Sequence, residues 1–455
     1  MSKRRTGKIL VFVLGVIVVV AAATAWFVRR TPASPFDGVS AAATPPDALI
    51  ARGRYVARLA DCVACHSTAN GKPFAGGLEM ATPLGSIYTT NITPDNATGI
   101  GRYSLADFDR ALRDGVARDG HRLYPAMPYP SYAKLDDGDV RALYAYFMHE
   151  VKPVHQTDRR SDIGWPMNMR WPLALWSAVF TEGGSYRARP APAGVDAKIW
   201  NRGAYLVQGA GHCGSCHTPR GAVMNEKAFD GSSRLYLSGA PLDGWYAPSL
   251  RGDVNTGLGR WSEADIVQFL RHGRNRHAVV YGSMTDAFNN STQFMSKRDL
   301  QAIAVYLKSL PAMPGRDGKP WQYEDTPNPA LATGKHPGAR IYLARCSFCH
   351  GRDGRGQGAW IPPLAGSTAS MAPLADSAIN VTLNGSGRIV DHDVPDAYRM
   401  PPYRAQLTDR QVADVLGYVR TSWGNRGGEV KVKDVRKLRH RTNPSSGNVI
   451  ILQMR

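Results

Sequence analysis

The longest unbroken apolar stretch lies near the start of the chain. Lys3, Arg4, Arg5 and Lys8 precede a run from Ile9 to Val28, and Arg29 and Arg30 follow it. About 20 apolar residues suffice for a helix to cross a bilayer. The run therefore predicts either a membrane-anchoring helix or a signal segment within residues 1–30. The larger positive charge on its N-terminal side would hold that end in the cytoplasm and place the remainder outside. Ala23-Thr24-Ala25 is an acceptable small-residue cleavage site, so the signal reading stays open. Both readings export the bulk of the chain.

Further on, the pattern changes to short amphipathic helices separated by loops rich in Gly and Pro, and it occurs three times. Leu143-Tyr144-Ala145-Tyr146-Phe147, Ile303-Ala304-Val305-Tyr306-Leu307 and Val415-Leu416-Gly417-Tyr418-Val419 are the apolar-aromatic cores of three such helices. Asp136, Asp137, Ser296 and Thr408 stand upstream as helix-start residues. Each repeat also has an early helical stretch with glycine and tyrosine: Gly53-Arg54-Tyr55, Gly203-Ala204-Tyr205 and Gly338-Ala339-Arg340-Ile341-Tyr342. Self-similarity of this kind marks tandem copies of one unit. The units are expected at 45–155, 195–312 and 330–425, in a mainly α fold. Residues 31–45 read as a tether and 156–194 as a Trp-rich linker. Residues 313–330, with Pro314, Pro320, Pro327 and Pro329, read as a second linker. Residues 426–455 read as a basic tail.

Composition adds one constraint. Of 455 residues, 43% are hydrophobic and 20% charged, which suits a globular protein rather than a disordered one. The net charge of +19 gives solubility or attraction to anionic lipid or an acidic partner. The basic residues are scattered and the chain reads as exported, so nucleic acid is not an expected partner. They concentrate only in the tail, at Lys431, Lys433, Arg436, Lys437, Arg439 and Arg441. That tail is expected to be solvated, with electrostatic contact to lipid head groups or a partner as the alternative. The segment Trp165-Pro166-Met167-Asn168-Met169-Arg170-Trp171-Pro172-Leu173-Ala174-Leu175-Trp176 reads as a brace between units, an interfacial membrane contact or a docking surface.

The cysteines carry the chemistry. All six fall in Cys62-Val63-Ala64-Cys65-His66, Cys213-Gly214-Ser215-Cys216-His217 and Cys346-Ser347-Phe348-Cys349-His350. C-x-x-C-H is the attachment signature of c-type haem. Two thiols add to the two porphyrin vinyl groups, and the adjacent imidazole reaches the iron. A thioredoxin-like motif would not need the histidine three times. A zinc site would want two such motifs close together. The expectation is three covalently bound haem c groups on Cys62/Cys65, Cys213/Cys216 and Cys346/Cys349, with His66, His217 and His350 as iron ligands.

A histidine–methionine pair raises the potential and closes the iron, which suits electron transfer. Met127 in Tyr124-Pro125-Ala126-Met127-Pro128 and Met400 in Arg399-Met400-Pro401 sit in proline-stiffened loops upstream of the closing helices. Met284, in Tyr281-Gly282-Ser283-Met284, is the expected ligand of the middle unit, with Met295 as its rival. Met80 and Met371 lack the proline context. His121, His272, His277 and His392 are the alternatives for a bis-histidine site. A carbonyl at Pro362 or Pro363 is a candidate acceptor for the His350 ring N–H, against an ordinary turn.

With these motifs in hand, the chain resembles the triheme cytochrome c subunits of membrane-bound bacterial dehydrogenases, those acting on alcohols, aldehydes, gluconate and sugars. The resemblance covers roughly 45–425. It rests also on Thr90-Asn91-Ile92-Thr93-Pro94-Asp95, Arg113-Asp114-Gly115-Val116, Trp245-Tyr246-Ala247-Pro248-Ser249-Leu250 and Gly282-Ser283-Met284. It implies three tandem class I cytochrome c domains and a separate catalytic subunit carrying pyrroloquinoline quinone or a flavin. Electrons would pass through the haems to ubiquinone in the bacterial inner membrane, with the haem domains on the periplasmic side. No catalytic site of its own is expected. The alternatives are an electron donor to a terminal oxidase or reductase, or a haem enzyme or gas sensor with one open iron.

Overall fold

The computed structural model describes residues 2–40, 44–69, 71–82, 84–325 and 336–442. The first helix, α1, spans Ser2–Arg29, and its segment Lys8–Arg29 is long and apolar enough to cross a membrane. Ile9, Leu10 and Phe12 are exposed along it.

Three crossed helix pairs follow. Helix α2 (Asp47–Leu59) packs on α3 (Asp137–His149), with α4 (Pro172–Phe180) after them. Helix α5 (Ala197–Gln208) packs on α6 (Lys297–Lys308). Helix α7 (Pro337–Arg345) packs on α9 (Asp409–Thr421), with α8 (Asp376–Asn384) between them in sequence and α10 (Val432–Arg441) after them. One glycine sits at each crossing. A Cβ on Gly53 would lie 1.9 Å from Ala142 O, on Gly203 1.9 Å from Ala302 O, and on Gly338 2.0 Å from Asp414 O. The backbones touch there, so no side chain fits. Side chains of Asp136, Ser296 and Thr408 accept from the backbone N–H of Asp139, Asp299 and Gln411 and start the three closing helices. Asp137 is a first-turn residue instead.

Two hairpins interrupt the loops of the first two units. Strand β1 (Glu79–Thr82) pairs with β2 (Gly85–Tyr88), Met80 opposite Ile87. Strand β3 (Ala240–Leu242) pairs with β4 (Trp245–Ala247), Pro241 opposite Tyr246.

The first two units share one core. Val56, Leu143 and Phe147 belong to the same buried cluster as Leu206, Leu300 and Tyr306. Their interface is reciprocal. The sequence Arg-Gly-x-Tyr occurs at Arg52–Tyr55 in α2 and again at Arg202–Tyr205 in α5. Tyr55 Oη donates to Asp299 of α6 (2.7 Å), while Tyr205 Oη donates to Asp139 of α3. Within each unit the arginine holds the same carboxylate, Arg52 Nε to Asp139 at 2.7 Å and Arg202 Nε to Asp299 at 2.8 Å. The N–H of each helix-capping residue donates to the tyrosine oxygen, Ser296 to Tyr55 at 3.0 Å and Asp136 to Tyr205 at 3.2 Å. Burial acts to raise the Asp299 carboxyl, but its bonds from Arg202 and Tyr55 outweigh this and hold it below the usual range. Hydrogen bonds to charged groups contribute about 1.5–3 kcal/mol. Tyr55→Phe and Tyr205→Phe are therefore each expected to destabilise the shared core by about that amount, in equal measure, read from the urea midpoint of the first transition.

The third unit keeps its own core, in which Tyr342, Val412, Val419 and Trp423 meet Val435 and Leu438 of α10. It has no Arg-Gly-x-Tyr: Pro337 and Arg340 stand in those places, and Gln411 replaces the aspartate. It docks on the middle unit through other groups. Ser377 Oγ accepts from Tyr246 N–H (2.8 Å), Asn380 Nδ2 donates to Gly244 O (3.0 Å), and Arg274 pairs with Asp396 (2.7 Å).

The segments read as linkers and tail are docked. Asp317 accepts from the Asn255 and Thr256 backbone, and Trp321 Nε1 donates to Trp423 O at 2.9 Å. The basic stretch expected to be solvated forms α10, with Arg439 Nε on Asp409 at 2.7 Å. A sequence of alternating Lys and Arg hides this, because only Val435 and Leu438 of α10 are buried. Residues 443–455 lie outside the described residues, as do 326–335, where the third unit was expected to begin. In the Trp-rich segment, Trp176 is a brace: its Nε1 donates to Val223 O of the middle unit (2.9 Å) and its ring meets Tyr129 of the first at 6.4 Å. Trp165 and Trp171 instead face outward, 80% and 48% exposed.

Candidate haem-attachment sites

The three C-x-x-C-H segments fold as one-turn helices placed directly after α2, α5 and α7, at Cys62–Cys65, Gly214–His217 and Ser347–His350. No disulfide joins any of the six cysteines. Burial pushes the Cys62 and Cys213 thiols up to about 12 and those of Cys216 and Cys346 to about 11. Burial thus keeps these four thiols in their neutral form at neutral pH.

Each following histidine is oriented by a backbone carbonyl. His66 Nδ1 meets Thr90 O at 2.7 Å, His217 Nδ1 meets Pro248 O at 2.7 Å, and His350 Nδ1 meets Pro362 O at 3.0 Å. A carbonyl only accepts, so each Nδ1 carries the proton and each Nε2 keeps its lone pair for a metal. Burial lowers the proton affinity of all three rings, which favours the same neutral form. Of the two candidate acceptors for His350, Pro362 and Pro363, the carbonyl of Pro362 holds the ring; Thr90 and Pro248 were not identified from sequence. Both stand two residues beyond a hairpin tyrosine, Tyr88 or Tyr246, and just before a residue whose side chain caps the next turn. Asn91 Oδ1 accepts from Thr93 N–H at 2.9 Å and Ser249 Oγ from Arg251 N–H at 3.2 Å. That offset is the signal that could have found them.

The expected methionines lie in ordered, half-buried loops. Met127 sits in a turn closed by Met127 N–H to Tyr124 O (3.2 Å) and Tyr129 N–H to Met127 O (2.8 Å). Met400 is pinned by Ser386, whose Oγ accepts from Met400 N–H at 3.0 Å and whose N–H donates to Met400 O at 3.0 Å. Met284 opens the helix Met284–Asn290 just after Gly282, which has φ +61° and lies against the Trp245 ring. Met295 is packed in the core shared by the first two units and Met371 is buried in the third, while Met80 is in β1. The four alternative histidines have local carboxylates: His121 has Asp119, His272 and His392 share Asp391, and His277, stacked on Trp261 at 5.1 Å, faces Asp265.

A haem fits these residues. Trp245 Nε1 and Thr285 Oγ1 are buried beside the Met284 turn with no hydrogen-bond partner among the described residues. Such groups require an acceptor from outside the chain, and a haem propionate is one. Among the described residues no group of three or more His, Cys, Asp or Glu could hold a metal ion by itself.

The sites adjoin one another. Tyr132, whose Oη donates to Ala60 O (2.8 Å) just before Cys62, meets the ring of His212, just before Cys213, at 5.7 Å. Ser291, in the loop after the Met284 helix, donates to Leu59 O at 3.2 Å. Gly387, beside the Ser386 that pins Met400, faces Thr285: a Cβ there would lie 3.2 Å from it. These contacts link the first site to the second and the second to the third.

A cytochrome c family model matches residues 50–150 and 336–423. The chain is 48% identical over 419 residues to the cytochrome c subunit of the quinone alcohol dehydrogenase of Gluconacetobacter polyoxogenes, covering 90% of this chain and 89% of that protein. It is 50% identical over 402 residues to the gluconate 2-dehydrogenase cytochrome c subunit of Pantoea cypripedii, covering 86% and 90%. It is 36% identical over 433 residues to the fructose dehydrogenase cytochrome subunit of Gluconobacter japonicus, covering 90% and 85%. With its cysteine pairs, oriented histidines and near full-length identity, the chain belongs to the family of dehydrogenase cytochrome c subunits.

Proposed function

We propose that the chain carries three covalent haem c groups and passes electrons from a dehydrogenase catalytic subunit to ubiquinone, anchored by α1 with its haem units on the periplasmic side of the bacterial inner membrane. The observation that carries this reading is the threefold recurrence of one site: a cysteine pair and a histidine whose Nδ1 is held by a backbone carbonyl. Each unit, at 45–155, 195–312 and 330–425, is a class I cytochrome c domain. Haem c, when bound, supplies a one-electron iron couple. The chain's own residues do the rest. Cys62/Cys65, Cys213/Cys216 and Cys346/Cys349 fix the macrocycles. The carbonyls of Thr90, Pro248 and Pro362 retain the ring protons of His66, His217 and His350, leaving Nε2 to the iron. The thioethers of Met127, Met284 and Met400 would be the second iron ligands, and in the middle unit Trp245 and Thr285 would donate to propionates.

Gentle detergent extraction of the tagged protein with mass spectrometry of co-purifying chains tests the partner. A large dehydrogenase subunit is expected; oxidase subunits would point to the other electron route. The methionine assignment is checked by the near-infrared sulfur-to-iron band of the oxidised protein. Met284→Leu is expected to remove about a third of its intensity and Met295→Leu none, since only a bound thioether contributes.

A further inference from the structure

One cavity among the described residues does not belong to any haem site. It measures about 470 Å³ and lies between the exit of α1, the end of the first unit's Arg110–Asp114 helix and α4. Phe27 and Arg30 line it from the apolar helix, Asp114 and Arg122 from the first unit, and Ser177 and Ala178 from α4. The volume suits a small-ligand head group.

Three observations say what it takes. First, its mouth is where a membrane-soluble ligand would arrive. Phe27 belongs to the segment long and apolar enough to cross a membrane. The neighbouring α4 turns Trp171, Leu175 and Val179 outward, 48%, 39% and 71% exposed, as an interfacial helix does. Second, two of its charged groups have no ion-pair partner among the described residues. The half-buried Asp114 carboxyl makes no hydrogen bond or ion pair among the described residues, although Arg113 is tied to Asp109 and Asp137. Arg122 has no carboxylate within ion-pair distance among them; its Nη2 reaches only Arg30 O, at 3.3 Å. Burial and the nearby Asp109 charge, opposed by Arg113, Arg122 and Arg110, push the Asp114 carboxyl up to about 6. It can therefore hold and release a proton near neutrality. Third, the cavity adjoins the first haem site. Tyr129 lines it, donates its N–H to Met127 O at 2.8 Å, and packs on Gly115, directly after Asp114.

We infer that this cavity binds the head group of a membrane quinone, with Asp114 giving a proton to one of its carbonyl oxygens. The inference rests on the reading that the chain delivers electrons to ubiquinone. Reduction of the ring takes two electrons, one at a time; a haem c held by Cys62, Cys65 and His66 would supply them and would be re-reduced with electrons drawn from the dehydrogenase subunit. The two carbonyl oxygens gain one proton each, one from Asp114 and one from water, and Asp114 is reprotonated from the aqueous side. Arg122 and Arg30 are donors for a quinone oxygen, and the isoprenoid tail follows Phe27 along α1.

The test uses the whole dehydrogenase complex in nanodiscs, assayed with a short-chain ubiquinone and with ferricyanide, and labelled with an azido-ubiquinone. Asp114→Asn is expected to lower quinone turnover about 10²-fold relative to the ferricyanide rate of the same preparation. Ala178→Phe, at an exposed position, is expected to raise the quinone KM about tenfold by filling the mouth. Photolabel is expected on peptides from Arg113–Tyr129 and Pro172–Gly183. Wild-type complex that reduces ferricyanide but no quinone would overturn the ubiquinone reading itself. Wild-type quinone reduction with label elsewhere, or with both variants unaffected, would overturn only this site.

Discussion

Cys346→Ser with Cys349→Ser should yield a protein with one covalent haem fewer than the native chain, two in place of the proposed three, read by denaturing mass spectrometry and haem staining. The first two units should survive this change. Their core is continuous across the pair and includes nothing from the third unit. The third unit is built differently, around the separate cluster of Tyr342, Val412 and Trp423. A small domain that binds a cofactor only when folded loses that linkage when the cofactor cannot attach. Its helices α7 and α9 should become protease-sensitive while residues 47–310 stay resistant. The same pair of changes at Cys213 and Cys216 should be worse. That site sits inside the shared core, so both linked units should lose protection. A count of three haems in the Cys346/Cys349 variant would overturn the attachment reading.

Gly203→Ala should be, with Gly53→Ala, among the most damaging single substitutions at the helix crossings, at about 3 kcal/mol or more. The new Cβ would stand 1.9 Å from Ala302 O and 2.8 Å from Tyr306 Cβ. Neither is the end of a flexible chain, so α5 and α6 must move apart. Overpacking a tight core costs about 1–3 kcal/mol, and separation here also disturbs the reciprocal Tyr–Asp contacts. The roughly 1 kcal/mol of helix propensity gained by alanine does not offset that. Gly164→Ala, where a Cβ meets nothing within 4 Å, is the control and should stay within about 0.5 kcal/mol. Urea titration of the two variants side by side checks both values.

What could be read from the residues was whatever leaves a side-chain signature at fixed spacing. The cysteine pairs, the histidines and the caps Asp136, Ser296 and Thr408 are such features, and the caps stand where expected. The glycine-tyrosine recurrence was visible too, although its reason was not: the glycine is a point of backbone contact. Thr90 and Pro248 act through carbonyl oxygens, which every residue possesses, so only the hairpin geometry reveals them. Helix α10 was missed because charge dominates its sequence and two apolar residues suffice to dock it. The tyrosine–aspartate exchange needed pairs 244 and 66 residues apart, a separation that no local pattern encodes.

The exchange of Tyr55 and Tyr205 across the first two units has the logic of a homodimer folded into one chain. A contact in which each half presents the same patch is closed: once both tyrosines are matched, nothing is left to recruit a further copy. The third unit had to join by a different surface, and its Pro337, Arg340 and Gln411 are the residues of a subunit released from that constraint. The assembly thus has two kinds of joint, one sealed and one directional.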